Sequence, residues 1–147
     1  MGIGSIGLVL ALCLSAMGSG FGIGAAAVAA VGGWKKCYAN GKPAPFMMVA
    51  FTGAPLTQTI YGFLLMNFIN SRIETADGLA CLFIGAFGGL AIGLSALFQG
   101  KCAAAACDSL GETGKGTSNY LIVIGIIETV ALFTLVFGLL LLGNIAA

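Results

Sequence analysis

Glu128 is an acid set inside an apolar run. Residues 120–142 read YLIVIGIIETVALFTLVFGLLLL, and no other charged side chain interrupts them. A charge at the bilayer centre costs about 2.5–3.5 kcal/mol on insertion scales. This carboxyl must therefore be protonated, be paired with a cation, or alternate between the two. Earlier in the chain, GAPLTQTIYG places Ala54, Thr57, Gln58 and Tyr61 at i, i+3, i+4 and i+7, on one helical face. Pro55 has no amide hydrogen and displaces the carbonyl four residues before it, so backbone oxygen comes free there, which lipid tolerates only if something satisfies it. Gln99, with Ser95 one turn before it, adds a second side-chain amide.

Pooled, these groups offer a carboxylate, a hydroxyl, two amide oxygens and a backbone carbonyl. That hard-oxygen set with one negative charge suits a single monovalent cation. Calcium or magnesium would want more carboxylates, and a soft metal would want sulfur or imidazole. A proton needs only Glu128 and one hydrogen-bond partner such as Tyr61. The surplus of oxygen leans towards sodium, with the proton as the alternative. Thr57, Tyr61 or Gln99 alone would read as hydrogen-bonding glue between helices. The acid in mid-span turns the group into a functional site.

Other chemistry is excluded. The chain has 147 residues, 59% hydrophobic and 7% charged, with a mean hydropathy of +1.08, against roughly 25% charged in soluble domains. It is an integral membrane protein. A net charge of +1 without a basic stripe gives no basis for nucleic-acid binding. The absence of His rules out a Ser-His-Asp triad and leaves no His to complete a zinc set. The five cysteines, Cys13, Cys37, Cys81, Cys102 and Cys107, form no CxxC pair and read as small packing residues. GSGFGIG from Gly18 lies inside an apolar span with no strand before it. SLGETGKGT has Ser109 for the first P-loop glycine and Gly116 for the required Ser or Thr. The chain binds no nucleotide and holds no catalytic site of its own. MGIGSIGLVL lacks the positive region of a cleavable leader.

The elements that must position the polar groups are four spans in two tandem helical hairpins, an all-α membrane architecture. The first hairpin covers 1–75, with helices at about 3–33 and 44–70. The second covers 76–147, with helices at about 77–108 and 117–144. Lys35, Lys36 and Lys42 lie in the first connection and Lys101 and Lys115 near the third, whereas the middle connection holds only Arg72 beside Glu74 and Asp77. That bias puts the first and third connections in the cytoplasm and the termini on the non-cytoplasmic side. The halves look duplicated. SAMGSGFGIGAAAVAA from Ser15 aligns with SALFQGKCAAAACDSL from Ser95, and PLTQTIYGF from Pro55 with GIIETVALF from Gly125, setting Gln58 opposite Glu128 and Thr59 opposite Thr129. Gly18-Gly22, Gly20-Gly24 and Gly85-Gly89-Gly93 predict close helix approach in the first and third spans. The bulkier second and fourth spans, carrying Phe46, Phe51, Phe63, Phe68, Phe133 and Phe137, then form an outer layer.

Four spans with PLTQTIYGF in the second, FQGKCAAAA in the third and IIETV in the fourth resemble the duplicated rotor-ring proteolipid of V-type ATPases, nearest to the bacterial sodium-binding K subunit. The resemblance covers nearly the whole chain. It implies a homo-oligomeric ring of copies of this chain in the lipid of a bacterial cell membrane. Its partners would be a membrane-embedded stator and cytoplasmic central-stalk subunits, and cytosolic ATP hydrolysis would drive it. It also implies that Glu128 is the ion-carrying carboxylate, that Thr57, Gln58, Gln99 and the Ala54 carbonyl ligate Na+, and that Tyr61 hydrogen-bonds the carboxylate. Val130 departs from that pattern, where the sodium-binding relative has a tyrosine. Gln58 in place of an acid leaves one ion site per four helices, an arrangement that favours pumping over ATP synthesis. From outside that class, the alternative is a stand-alone four-helix transporter or channel.

Overall fold

The computed structural model describes residues 2–145. Helix α1 spans Ile3–Ala39, α2 Met47–Gly53, α3 Thr57–Arg72, α4 Gly78–Thr113 and α5 Thr117–Ile145, with a single 3-10 turn at Ala54–Leu56 between α2 and α3. Among the described residues, four stretches are long and apolar enough to cross a membrane: α1, the α2–α3 unit, α4 and α5. The protein is thus an all-helical, multi-pass membrane protein.

Two helices outrun the spans expected from sequence. α1 continues past residue 33 to Ala39, and α4 continues past residue 108 to Thr113. At 37 and 36 residues and about 1.5 Å per residue, each is far longer than a hydrocarbon core of about 30 Å. The Gly32-Gly33 pair has the letters of a stop, but Gly33 is where α1 meets α4: a β-carbon on Gly111 would lie 2.9 Å from the Gly33 Cα. The helix actually ends at Asn40-Gly41, where Gly41 takes φ +63° and Lys42 N–H closes back on the Cys37 carbonyl at 2.9 Å. α4 is capped at its start by Asp77, whose carboxylate accepts from Ala80 N–H at 3.1 Å, and at its end by Gly114 at φ +65°. The second span begins at Met47 rather than 44, because Pro43 and Pro45 disfavour helix before it.

α1 and α4 pack backbone against backbone. A β-carbon on Gly18 would overlap the main chain of Gly93, one on Gly22 that of Ala96, and one on Gly85 that of Gly7. Van der Waals contact of this kind is what associates helices in lipid. Gly20 and Gly24 do not take part, since nothing within the described chain lies within 4 Å of a β-carbon at either. Two residues along a helix is a turn of about 200°, which puts them on the face opposite Gly18 and Gly22. At the far ends of α1 and α4, Lys36 pairs with Asp108 at 2.6 Å and Glu112 at 2.8 Å. Lys101 lies well inside α4, its ammonium 5.3 Å from the Phe98 ring centre.

Two apolar clusters sit one above the other. One gathers Met48, Phe51, Ala103, Cys107 and Ile124, the other Leu65, Ile69, Ile92, Ala131 and Leu135. On three of the helices a polar residue falls between them in sequence: Gln58 on α3, Gln99 on α4 and Glu128 on α5.

Candidate ion site

The 3-10 turn that Pro55 imposes re-aims the start of α3. Thr57 N–H bonds the Ala54 carbonyl, and the Thr57 hydroxyl donates to the same carbonyl at 3.0 Å. That hydroxyl also reaches Gln58 Oε1 at 3.1 Å. Gln58 Nε2 crosses to α4 and donates to Gln99 Oε1 at 2.7 Å. Gln99 Nε2 in turn donates to the Ile124 carbonyl of α5 at 3.0 Å and more weakly to Glu128 Oε2 at 3.4 Å. Tyr61 O–H donates to Glu128 Oε1 at 2.9 Å.

Ala54, Thr57, Gln58, Tyr61, Gln99 and Glu128 thus join in one hydrogen-bonded chain spanning three helices. Within it Thr57 meets Ala54 and Gln58 rather than the carboxylate, and Gln58 reaches Glu128 only through Gln99. Both glutamines are 0% exposed, so every polar atom they carry must be satisfied inside the protein. Glu128 is half-buried on α5, the helix with the least buried window, and so lies between the polar cluster and the outer face.

Two contacts carry no mark in the sequence. Ser95 Oγ donates to the Ile127 carbonyl at 2.8 Å, and Gln99 uses the Ile124 carbonyl. Both acceptors are main-chain oxygens, which every residue carries, so no side-chain pattern picks them out. The available signal is the i, i+4 spacing of Ser95 and Gln99 facing an apolar helix, since such donors must find an acceptor across the interface.

Chemically, the cluster offers oxygens of four kinds in a chain that ends on one carboxylate. Among the described residues no group of three His, Cys, Asp or Glu side chains comes together to hold a metal ion, so any cation held here would rest on neutral oxygens and Glu128 alone. A hard monovalent cation matches that set. A proton would use Glu128 with Tyr61 and leave the amide pair as it stands.

Residues 78–141, which hold α4 and most of α5, match the family model of the C subunit of ATP synthase. The chain is also 30% identical over 144 residues to the A-type ATP synthase subunit K of Methanocaldococcus jannaschii. That alignment takes in 97% of this chain and 63% of the relative, so the chain spans a little under two thirds of the relative's length.

Proposed function

We propose that the chain is an ATPase proteolipid of the K and c type, a reading its similarity to both supports, and that it is a membrane rotor component that carries Na+ on Glu128. Copies of the chain form a ring in the lipid of a bacterial cell membrane, with termini on the non-cytoplasmic side. A membrane-embedded stator faces the ring from the side, and central-stalk subunits engage its cytoplasmic end.

The observation that carries the reading is the hydrogen-bonded chain that runs from the Ala54 carbonyl through Thr57, Gln58 and Gln99 to Glu128, which gathers neutral oxygen-bearing groups in one cluster beside the only acid of the span. A proton carrier needs no such set. With the carboxylate ionised and one sodium beside it, the site is neutral and can face lipid as the ring turns. At the stator the half-buried Glu128 is the group within reach of an aqueous path, and the cation leaves there while the carboxylate is held by an opposing positive charge. Moving one charge through 100 mV takes about 2.3 kcal/mol, so one nucleotide hydrolysed can move several ions. With Gln58 where a second acid would stand, each four-helix protomer holds one ion.

Labelling of Glu128 by dicyclohexylcarbodiimide in isolated membranes tests this, because the reagent attacks protonated carboxyls. Protection by millimolar sodium at fixed pH is the expected result. Labelling that follows pH and ignores sodium would make the ring a proton carrier, with the amides a hydrogen-bonding network only.

A further inference from the structure

Ser19 is the one buried side-chain polar atom that the fold leaves without a partner among the described residues. It lies on α1 and is 2% exposed. A buried hydroxyl with no hydrogen bond has lost its water partners without replacement, and that is costly. A helical serine has an easy remedy, donation to the carbonyl four residues back. Ser15, one turn earlier, takes it, bonding Ala11 at 2.8 Å. Ser19 does not.

Two independent observations say what Ser19 faces. The first is register. A β-carbon on Gly62 would meet the Ser15 side chain, and one on Gly22 would lie 3.1 Å from Pro55 Cβ. Between those two points α1 and α3 run antiparallel in step, which sets Ser19 level with Gln58. The second is the internal repeat. The alignment that puts Gln58 opposite Glu128 and Ser15 opposite Ser95 also puts Ser19 opposite Gln99. Gln99 is the residue that reaches Glu128 within the second hairpin. The first hairpin therefore keeps the same pair of positions, filled by Ser19 and Gln58.

We infer that Ser19 is a positioning residue for the cation site, the acceptor that takes the Gln58 amide when Gln58 Oε1 turns to a sodium ion. The inference rests on the cation reading of Glu128 above. In the structure Gln58 Nε2 is held by Gln99 Oε1. A cation seated among the site's oxygens claims Gln99 Oε1 and Gln58 Oε1 together. The amide hydrogens of Gln58 then point at an oxygen already facing a positive charge, and they must find another buried acceptor. Ser19 Oγ is free, uncharged and level with them. The exchange makes or breaks no covalent bond. It moves one amide from a glutamine acceptor to a serine acceptor and so fixes which end of Gln58 faces the ion.

The test is Ser19→Ala in the intact ring in isolated membranes, read by sodium protection of Glu128 against carbodiimide. Loss of one neutral hydrogen bond in the loaded state should raise the half-protecting sodium concentration about tenfold. The pH profile of labelling without sodium should stay as in wild type, because the inferred contact belongs to the loaded state. A merely structural serine predicts the opposite pattern: unchanged sodium protection, with thermal stability equal or higher once an unpaired hydroxyl is removed. In a Gln58→Leu background, Ser19→Ala should have no further effect on sodium protection. Unchanged protection in Ser19→Ala, or the same loss of protection in both backgrounds, overturns the assignment while leaving the cation reading intact. A wild-type ring that sodium does not protect at all overturns both.

Discussion

Replacing Tyr61 by Phe removes one oxygen and leaves the ring packed against the Leu65 cluster. That oxygen donates to Glu128 Oε1 at 2.9 Å, and the other side-chain donor to the carboxylate, Gln99 Nε2, stands at 3.4 Å. Tyr61 is therefore the stronger of the two. A hydrogen bond to a charged group contributes about 1.5–3 kcal/mol, and its loss falls on the ionised, cation-holding form. The sodium concentration that half-protects Glu128 should rise by about ten- to 150-fold. The assay is carbodiimide labelling against sodium at one pH, with ring size by native electrophoresis as the control for assembly. An intact Tyr61→Phe ring protected at the wild-type sodium concentration would refute the reasoning, because the carboxylate would then not depend on its shortest contact.

Glu128→Gln should abolish both labelling and ion transport while leaving the ring assembled, since a neutral amide of the same shape can still accept from Tyr61; tracer uptake and native electrophoresis check the two halves. Gly18→Ala drives a methyl into the Gly93 backbone and should destabilise the α1–α4 pair by about 1–3 kcal/mol, read as a lowered melting temperature. Gly20→Ala, two residues away, meets nothing within the chain, so the stability of a single protomer in detergent should not fall. Asp77→Ala removes the cap of α4 and should cost about 1 kcal/mol, seen as faster hydrogen exchange at Gly78–Ala80.

Much of the fold is legible in the sequence, for identifiable reasons. The four spans follow from apolar length, and the polar face of α3 follows from helical spacing, because both depend only on which side chains recur. The ends of α1 and α4 are not legible, since a glycine pair has the same letters whether it stops a helix or brings two helices together. The equal treatment of Gly18-Gly22 and Gly20-Gly24 fails for a related reason: the pattern gives spacing but not which face a neighbour occupies. In the site, the residue types are readable, yet the mutual bonding of Gln58 and Gln99 is not. Two amides in an apolar setting can bind an ion or each other, and only their 2.7 Å approach across α3 and α4 shows the second arrangement. Ser19 stands opposite Gln99 in the repeat alignment, but the surrounding glycines hide it as one small residue among many.

The glycine contacts between α1 and α4 also bear on how force passes through the molecule. Where main chains touch with no side chain between them, a sideways push on one helix meets the other at once, and the pair bends as a single thick beam. α5 has no such backing. It is held through side chains and carries Glu128 on the less buried side of the molecule. A load applied at the end where Lys36 ties α1 to α4 is therefore borne by the beam. A load applied at Glu128 is taken up first as deflection of α5. The same fold thus separates a stiff pair of helices from a more loosely backed one, and it is the second that bears the carboxylate.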